Sequence, residues 1–118
     1  MDATVLEAYA GIDDAQTLVF KVLQRFGRRA AVDASDPVAG PVLRDMAART
    51  GHAFRDAADA DLTGIDVWIA GTHRDAGGAV PSSPRLHLVE RAGHVCLRVA
   101  PLHDWKDADL QEYAAARL

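Results

Sequence analysis

The strongest constraint on this chain is an apolar stripe at Ala15, Leu18, Val19, Val22, Leu23 and Phe26. Offsets of three, four, seven, eight and eleven residues put all six on one side of a helix, which predicts an amphipathic helix over residues 14–26. A helix of this length holds together mainly by burying such a stripe, so the rest of the chain has to supply an apolar layer for it. Asp13 or Asp14 is placed to cap the first turn by accepting backbone N–H bonds, and Gly27 to end the last one. A second stripe, Ala39, Val42, Leu43, Met46, Ala47 and Thr50, has the same spacing and runs up to Gly51, a natural C-cap. Ser35-Asp36-Pro37 offers a cap followed by proline at the first helical position, while Gly40-Pro41 would delay the start; the second helix therefore begins at 37 or 41 and ends at 50.

Strand-like segments flank these helices at Val5–Tyr9, Arg28–Asp33, His52–Asp56 and Ile65–Ala70, giving the order βαβαββ. Ile65-Asp66-Val67-Trp68-Ile69 carries the clearest strand composition, with β-branched residues and an aromatic. Residues 72–84 are rich in Gly, Pro and Ser and read as a long connection between a core (1–71) and a final unit (85–118) packed on it within one domain. That unit opens with a hairpin. A two-residue turn at Ala92-Gly93 pairs Arg91 with His94, Glu90 with Val95, Leu88 with Leu97 and Leu86 with Val99, so that Leu86, Leu88, Val95, Leu97 and Val99 share one face. A three-residue turn would mix apolar and basic residues on both faces, so the two-residue register is the expected one. A helix from about Asp107 closes the chain, with Leu110, Tyr113, Ala114 and Leu118 on one side. The expected fold is an α+β two-layer sandwich with a C-terminal hairpin and helix.

Composition narrows the function classes. With 118 residues, 49% of them hydrophobic, the chain can bury a core as a single domain. A formal net charge of -4 argues against a dedicated nucleic-acid binder. A lone cysteine excludes an intrachain disulfide framework and cysteine-rich zinc sites. No apolar run approaches membrane-spanning length, and the first residues lack the basic start and apolar stretch of a signal peptide, so the expected setting is a bacterial-type cytoplasm.

The βαβαββ order, together with Ala31-Val32-Asp33-Ala34-Ser35-Asp36-Pro37 and Ala48-Arg49-Thr50-Gly51-His52-Ala53-Phe54, resembles the TusA/SirA family of small sulfur carriers over residues 4–70. In that family a strand ends in an acidic-Pro segment, and the helix that follows exits through a Gly-His pair into the next strand. The resemblance implies two helices on one face of a four-stranded mixed sheet. It also implies a Cys-Pro pair at the start of the first helix, where unpaired N–H groups and the helix dipole favour a thiolate or persulfide. Here that stretch is Gly11-Ile12-Asp13-Asp14-Ala15-Gln16-Thr17, with Asp14 at the cysteine position. A carboxylate caps a helix but carries no sulfur, so the chain is expected to have the fold without the family's activity.

Cys96 is the only candidate nucleophilic thiol. In the hairpin register it lies between His94 and Arg98, cations that would lower its pKa; the alternative is a small, inert strand residue. Arg85, His87, Arg91, His94 and Arg98 form the one local concentration of positive charge, a candidate face for a phosphate, a carboxylate ligand or an acidic protein partner, or else an ordinary solvated sheet face. The face lacks the stacking aromatics of a single-strand nucleic-acid platform. His73, His87, His94 and His103, with Asp104, show no metal-ligand spacing, and neither metal nor cofactor is expected. His52 is placed to bond the last carbonyls of the second helix; Asp13, Asp14, Asp33 and Asp36 are accounted for as caps; Trp68 and Trp105 read as packing residues; Ser82-Ser83 has no nucleophile-elbow context.

Three functions are therefore compatible with the residues. One is a non-enzymatic accessory or protein-binding module on a sulfur-carrier fold. Another is a sulfur or acyl carrier using Cys96. The third is an anion- or protein-binding module, of a phage or immunity type, using the basic hairpin face. Edge-to-edge pairing of the hairpin would make a homodimer.

Overall fold

Both apolar stripes fold as helices. A computed structural model describes residues 1–118 and contains α1 (Thr4–Ala10), α2 (Ala15–Phe26), β1 (Ala30–Val32), α3 (Ala39–Arg49), β2 (Arg55–Asp56), β3 (Val67–Ile69), β4 (Leu86–Arg91), β5 (His94–Val99) and α4 (Asp107–Arg117). Asp14 caps α2, its Oδ2 accepting both the backbone N–H and the hydroxyl of Thr17 at 2.8 Å. Gly27, with φ of 54°, lets the chain leave the helix. α3 starts between the two expected points. The turn leading into it is held by Asp36, whose Oδ1 accepts the N–H groups of Val38 (2.8 Å) and Ala39 (2.9 Å).

The first strand of the expected order is a helix. Val5 and Tyr9 are buried while their neighbours Glu7 and Ala8 are exposed, a spacing of four that matches a helical turn and not the alternation of a strand. The order through residue 70 is thus ααβαββ, which departs from the βαβαββ arrangement. The hairpin is also more than an extension. β5 pairs in parallel with β3, Val67 opposite Leu97 and Ile69 opposite Val99, so one mixed five-stranded sheet runs β2-β1-β3-β5-β4. All pairings are parallel except the hairpin itself. The hairpin register is the one read from sequence, from Arg91–His94 to Leu86–Val99. Its turn residues Ala92 and Gly93 both have positive φ, as a tight two-residue turn requires.

Strand alternation sorts the sheet into two faces. Ala30, Val32, Val67, Ile69, Leu97 and Val99 face the helices and join Leu18, Val22, Val42, Leu43 and Met46 in a single core. Each such fully buried large side chain contributes about 1.5–3 kcal/mol. Ala31, Trp68, Cys96 and Arg98 fall on the opposite face, which no helix covers. α1 packs on β4, and Leu110 anchors α4 in the same core.

Candidate functional site

The parallel strands β1, β2, β3 and β5 all end on one side of the sheet. From β1 the chain turns through α3 to β2 on one flank, while β3 lies on the other, so the loops after β1 and β3 diverge. That divergence is the position where open parallel sheets form a ligand crevice. Asp33 continues β1 by one residue, its N–H bonded to the Ile69 carbonyl at 2.8 Å, and shares a face with Ala31. Ala31 is paired with Trp68, and Trp68 with Arg98. An indole and a guanidinium therefore stand side by side on β3 and β5, with the Asp33 carboxylate one same-face step beyond Ala31 on β1. With Ser35, Asp36, Thr72 and His73 they line a crevice of about 350 Å3. A neighbouring hollow of about 340 Å3 over the end of β2 shares Asp33, Ser35 and Trp68.

The walls are held by close backbone packing. A Cβ on Gly40 would lie 2.2 Å from the Ala34 carbonyl oxygen, so only glycine lets the chain leaving β1 cross the first turn of α3. Gly71 is pressed on the same helix, its Cβ position 3.3 Å from the Ala39 methyl and 3.4 Å from Leu43 Cδ1. His73, with its side chain 13% exposed, faces two acceptors, the Gly71 carbonyl at 2.9 Å and Asp107 Oδ1 at 3.2 Å, which fastens the loop after β3 to the start of α4.

Two charged groups dominate the interior. Arg98 Nη2 donates to Thr72 Oγ1 at 2.6 Å, while Nη1 is shut off from solvent without a hydrogen-bond partner. Nδ1 of His87, the residue opposite Arg98 in the hairpin, is likewise buried and unpaired. Asp33 is partly desolvated, which works against its charged form. Hydrogen bonds from the hydroxyl and N–H of Ser35 and from Trp68, with the positive charge of Arg98, outweigh this and hold its carboxyl below the usual range.

The residues singled out in the sequence divide among three places. Arg98 and His87 belong to the crevice end. Arg91, His94 and Cys96 line a separate hollow of about 620 Å3 at the hairpin end, beside Asp66. There Asp66 binds His94 Nε2 through one oxygen and Arg29 Nη1 through the other, both at 2.8 Å. The Arg91 guanidinium lies over the Trp68 ring, 3.9 Å from its centroid. Arg85 leaves the basic face altogether: Nη1 and Nη2 donate to the carbonyls of Ile12 (2.6 Å) and Ala10 (3.2 Å), tying the α1–α2 connection to the start of β4.

The expected lowering of the Cys96 pKa is overturned. Cys96 is 3% exposed and its thiol donates to the Ile65 carbonyl at 3.3 Å. Burial pushes the thiol up; the charge of Arg91 opposes this and Asp66 adds to it. His52 is corrected as well. Its ring packs on Phe20, centroids 5.1 Å apart, while the Thr50 hydroxyl takes the Ala47 carbonyl.

The sequence reads Asp33 as a cap and His73 as one of four histidines without metal-ligand spacing, and gives Thr72 no role; in the fold Asp33 accepts the Ser35 N–H at 3.1 Å, not a helix N–H. The signal for Asp33 was its place directly after a strand that leads into a capped helix. Thr72 and His73 lie in a breaker-rich connection whose course is set by tertiary packing. No group of three or more His, Cys, Asp or Glu side chains is placed to hold a metal ion, and no helix is long and apolar enough to cross a membrane. No family model matches the chain, and neither a curated protein nor a solved structure matches it significantly.

Proposed function

We propose that this protein is a cytoplasmic, non-enzymatic binding module that holds a small anionic ligand in the crevice at the carboxyl ends of β1 and β3, with Arg98 as its anchor. The observation that carries this reading is the buried, unpaired Nη1 of Arg98 beside a nitrogen already fixed by Thr72. Leaving such a donor without an acceptor costs about 1–3 kcal/mol, which an incoming carboxylate or phosphate oxygen would offset. The divergence of the loops after β1 and β3 puts this donor where parallel sheets bind ligands.

The likeness of residues 31–70 to the TusA/SirA carriers belongs to the same proposal, as a likeness of the segment β1–α3–β2–β3. Sulfur transfer is not part of it, because position 14 holds a capping carboxylate and the one thiol is buried against a carbonyl.

The test is a titration of the 15N-labelled protein with propionate, followed by amide shifts. The expected result is saturable shifts at Asp33, Thr72 and His73, with affinity reduced on the order of tenfold in Arg98→Gln. Absence of saturable shifts, or equal affinity in the variant, rejects the reading.

A further inference from the structure

Five charged side chains line the crevice: Asp33, Asp36, Arg74, Asp75 and Arg98. Two of them, Arg98 and Asp33, stand on the sheet itself, on β5 and at the end of β1. Neither takes part in any of the four Arg–Asp ion pairs or the two His–Asp contacts of the protein, although both line the same 350 Å3 space. The strand pairing keeps them apart: Trp68 stands between β1 and β5, and the Thr72 hydroxyl draws the guanidinium to its own side. Asp36 lines the crevice too, but its Oδ1 is committed to the first N–H groups of α3 and its charge to the positive end of that helix. Arg74 donates to the Asp104 and Gly78 carbonyls, and Asp75 Oδ1 accepts the Ala79 N–H. Asp33 is bonded by the Ser35 turn and Trp68 and feels the charge of Arg98 without an ion-pair contact.

An anion seated on Arg98 thus meets the Asp33 carboxylate across the indole, and a cation seated on Asp33 meets a guanidinium. Only a ligand carrying both signs satisfies the two ends together. Resting on the anion-binding reading above, the geometry points to a zwitterion of the α-amino-acid class, its carboxylate on Arg98, its ammonium on Asp33 and its carbon skeleton against Trp68. The charge order fixes the ligand's direction, since the reversed pose sets like charges together at both ends. The volume lies within the range of small-molecule pockets.

L-alanine and propionate differ by the ammonium group alone and separate this inference from the reading it rests on. The unaltered protein is expected to bind L-alanine more tightly than propionate, on the order of tenfold, as for a hydrogen bond between charged groups. In Asp33→Asn the preference collapses from both sides: L-alanine binds more weakly, and propionate, relieved of a like charge, binds no worse than before. Arg98→Gln weakens both. If propionate binds the unaltered protein as tightly as L-alanine and still depends on Arg98, the zwitterion inference fails and anion binding stands. If neither compound shifts the crevice amides, both fail. The comparison of the two compounds on the unaltered protein needs no variant, so it is decisive even if Asp33→Asn does not fold.

Discussion

At the carboxyl end of the sheet Arg98 keeps a buried nitrogen without a partner and Asp33 has no ion pair, whereas at the hairpin end every corresponding group is engaged. There Asp66 binds His94 and Arg29, Arg91 covers Trp68, and Cys96 is bonded to the Ile65 carbonyl. The hairpin-end hollow is the larger of the two. Size and residue type therefore point one way, toward the thiol and its basic neighbours, and bonding capacity points the other. The lesson is that a charge becomes a binding group only when the fold leaves it without an internal partner, because an engaged group must break one interaction to make another.

The largest effect expected from contrasting these ends comes from their backbones. Gly40→Ala forces a methyl group onto the Ala34 carbonyl and should destabilise the protein by about 1–3 kcal/mol, read as a lower urea midpoint. Gly93→Ala, at a turn with φ of 78° and open space around it, should cost about 1 kcal/mol by the same measurement. A turn variant that proved the more damaging of the two would reverse the assignment of the rigid end. Next, Arg98→Gln should lower propionate affinity on the order of tenfold, while Arg91→Gln, at the other end, should leave it nearly unchanged. Equal losses would merge the two regions into one site.

The two ends should also titrate in opposite directions. The folded pKa of Asp33 lies below its ordinary value, so its contribution is complete above the usual carboxylate range and is lost as pH falls through the depressed value. L-alanine affinity should accordingly hold as pH drops into the usual carboxylate range and fall only below it. Cys96 has the reverse sign: its folded pKa is raised, so the neutral thiol stabilises the fold below the usual thiol range and that contribution is lost as pH rises through the raised value. Iodoacetamide should react slowly with the native protein at neutral pH and gain rate only above the usual thiol range. A thiol that titrates at or below that range would restore Cys96 as a candidate nucleophile. Smallest of all, His94→Ala removes a contact made by a side chain 55% exposed and should change stability by less than about 1 kcal/mol in a thermal melt.

Much of the architecture was legible because it follows from periodicity. The stripe from Ala15 to Phe26, the Asp14 cap, the Gly51 exit and the hairpin register are local consequences of side-chain spacing and turn chemistry, and each appears in the fold as read. The failure at Val5–Tyr9 has an equally local cause. Over five residues, Val5 and Tyr9 four apart satisfy a helical turn as well as a strand, and in the fold the helix packs on β4. For the site, the basic residues were visible but their partners were not. Arg85 looked like part of a charged face until two carbonyls of the α1–α2 connection, more than seventy residues away in sequence, took its guanidinium.

By itself, the sequence determined the elements that short-range rules control: two amphipathic helices, a hairpin in one register, a C-terminal helix and a chain with a single thiol. The tertiary structure alone decided that β5 joins β3, and from that one parallel pairing the rest follows. It carries Arg98 to Trp68, sets Asp33 across from it at the carboxyl ends of the strands, and buries Cys96 against the Ile65 carbonyl. Local spacing cannot encode that outcome, because hydrogen-bond partners and desolvation are properties of neighbours in space, and those neighbours come from segments dozens of residues apart.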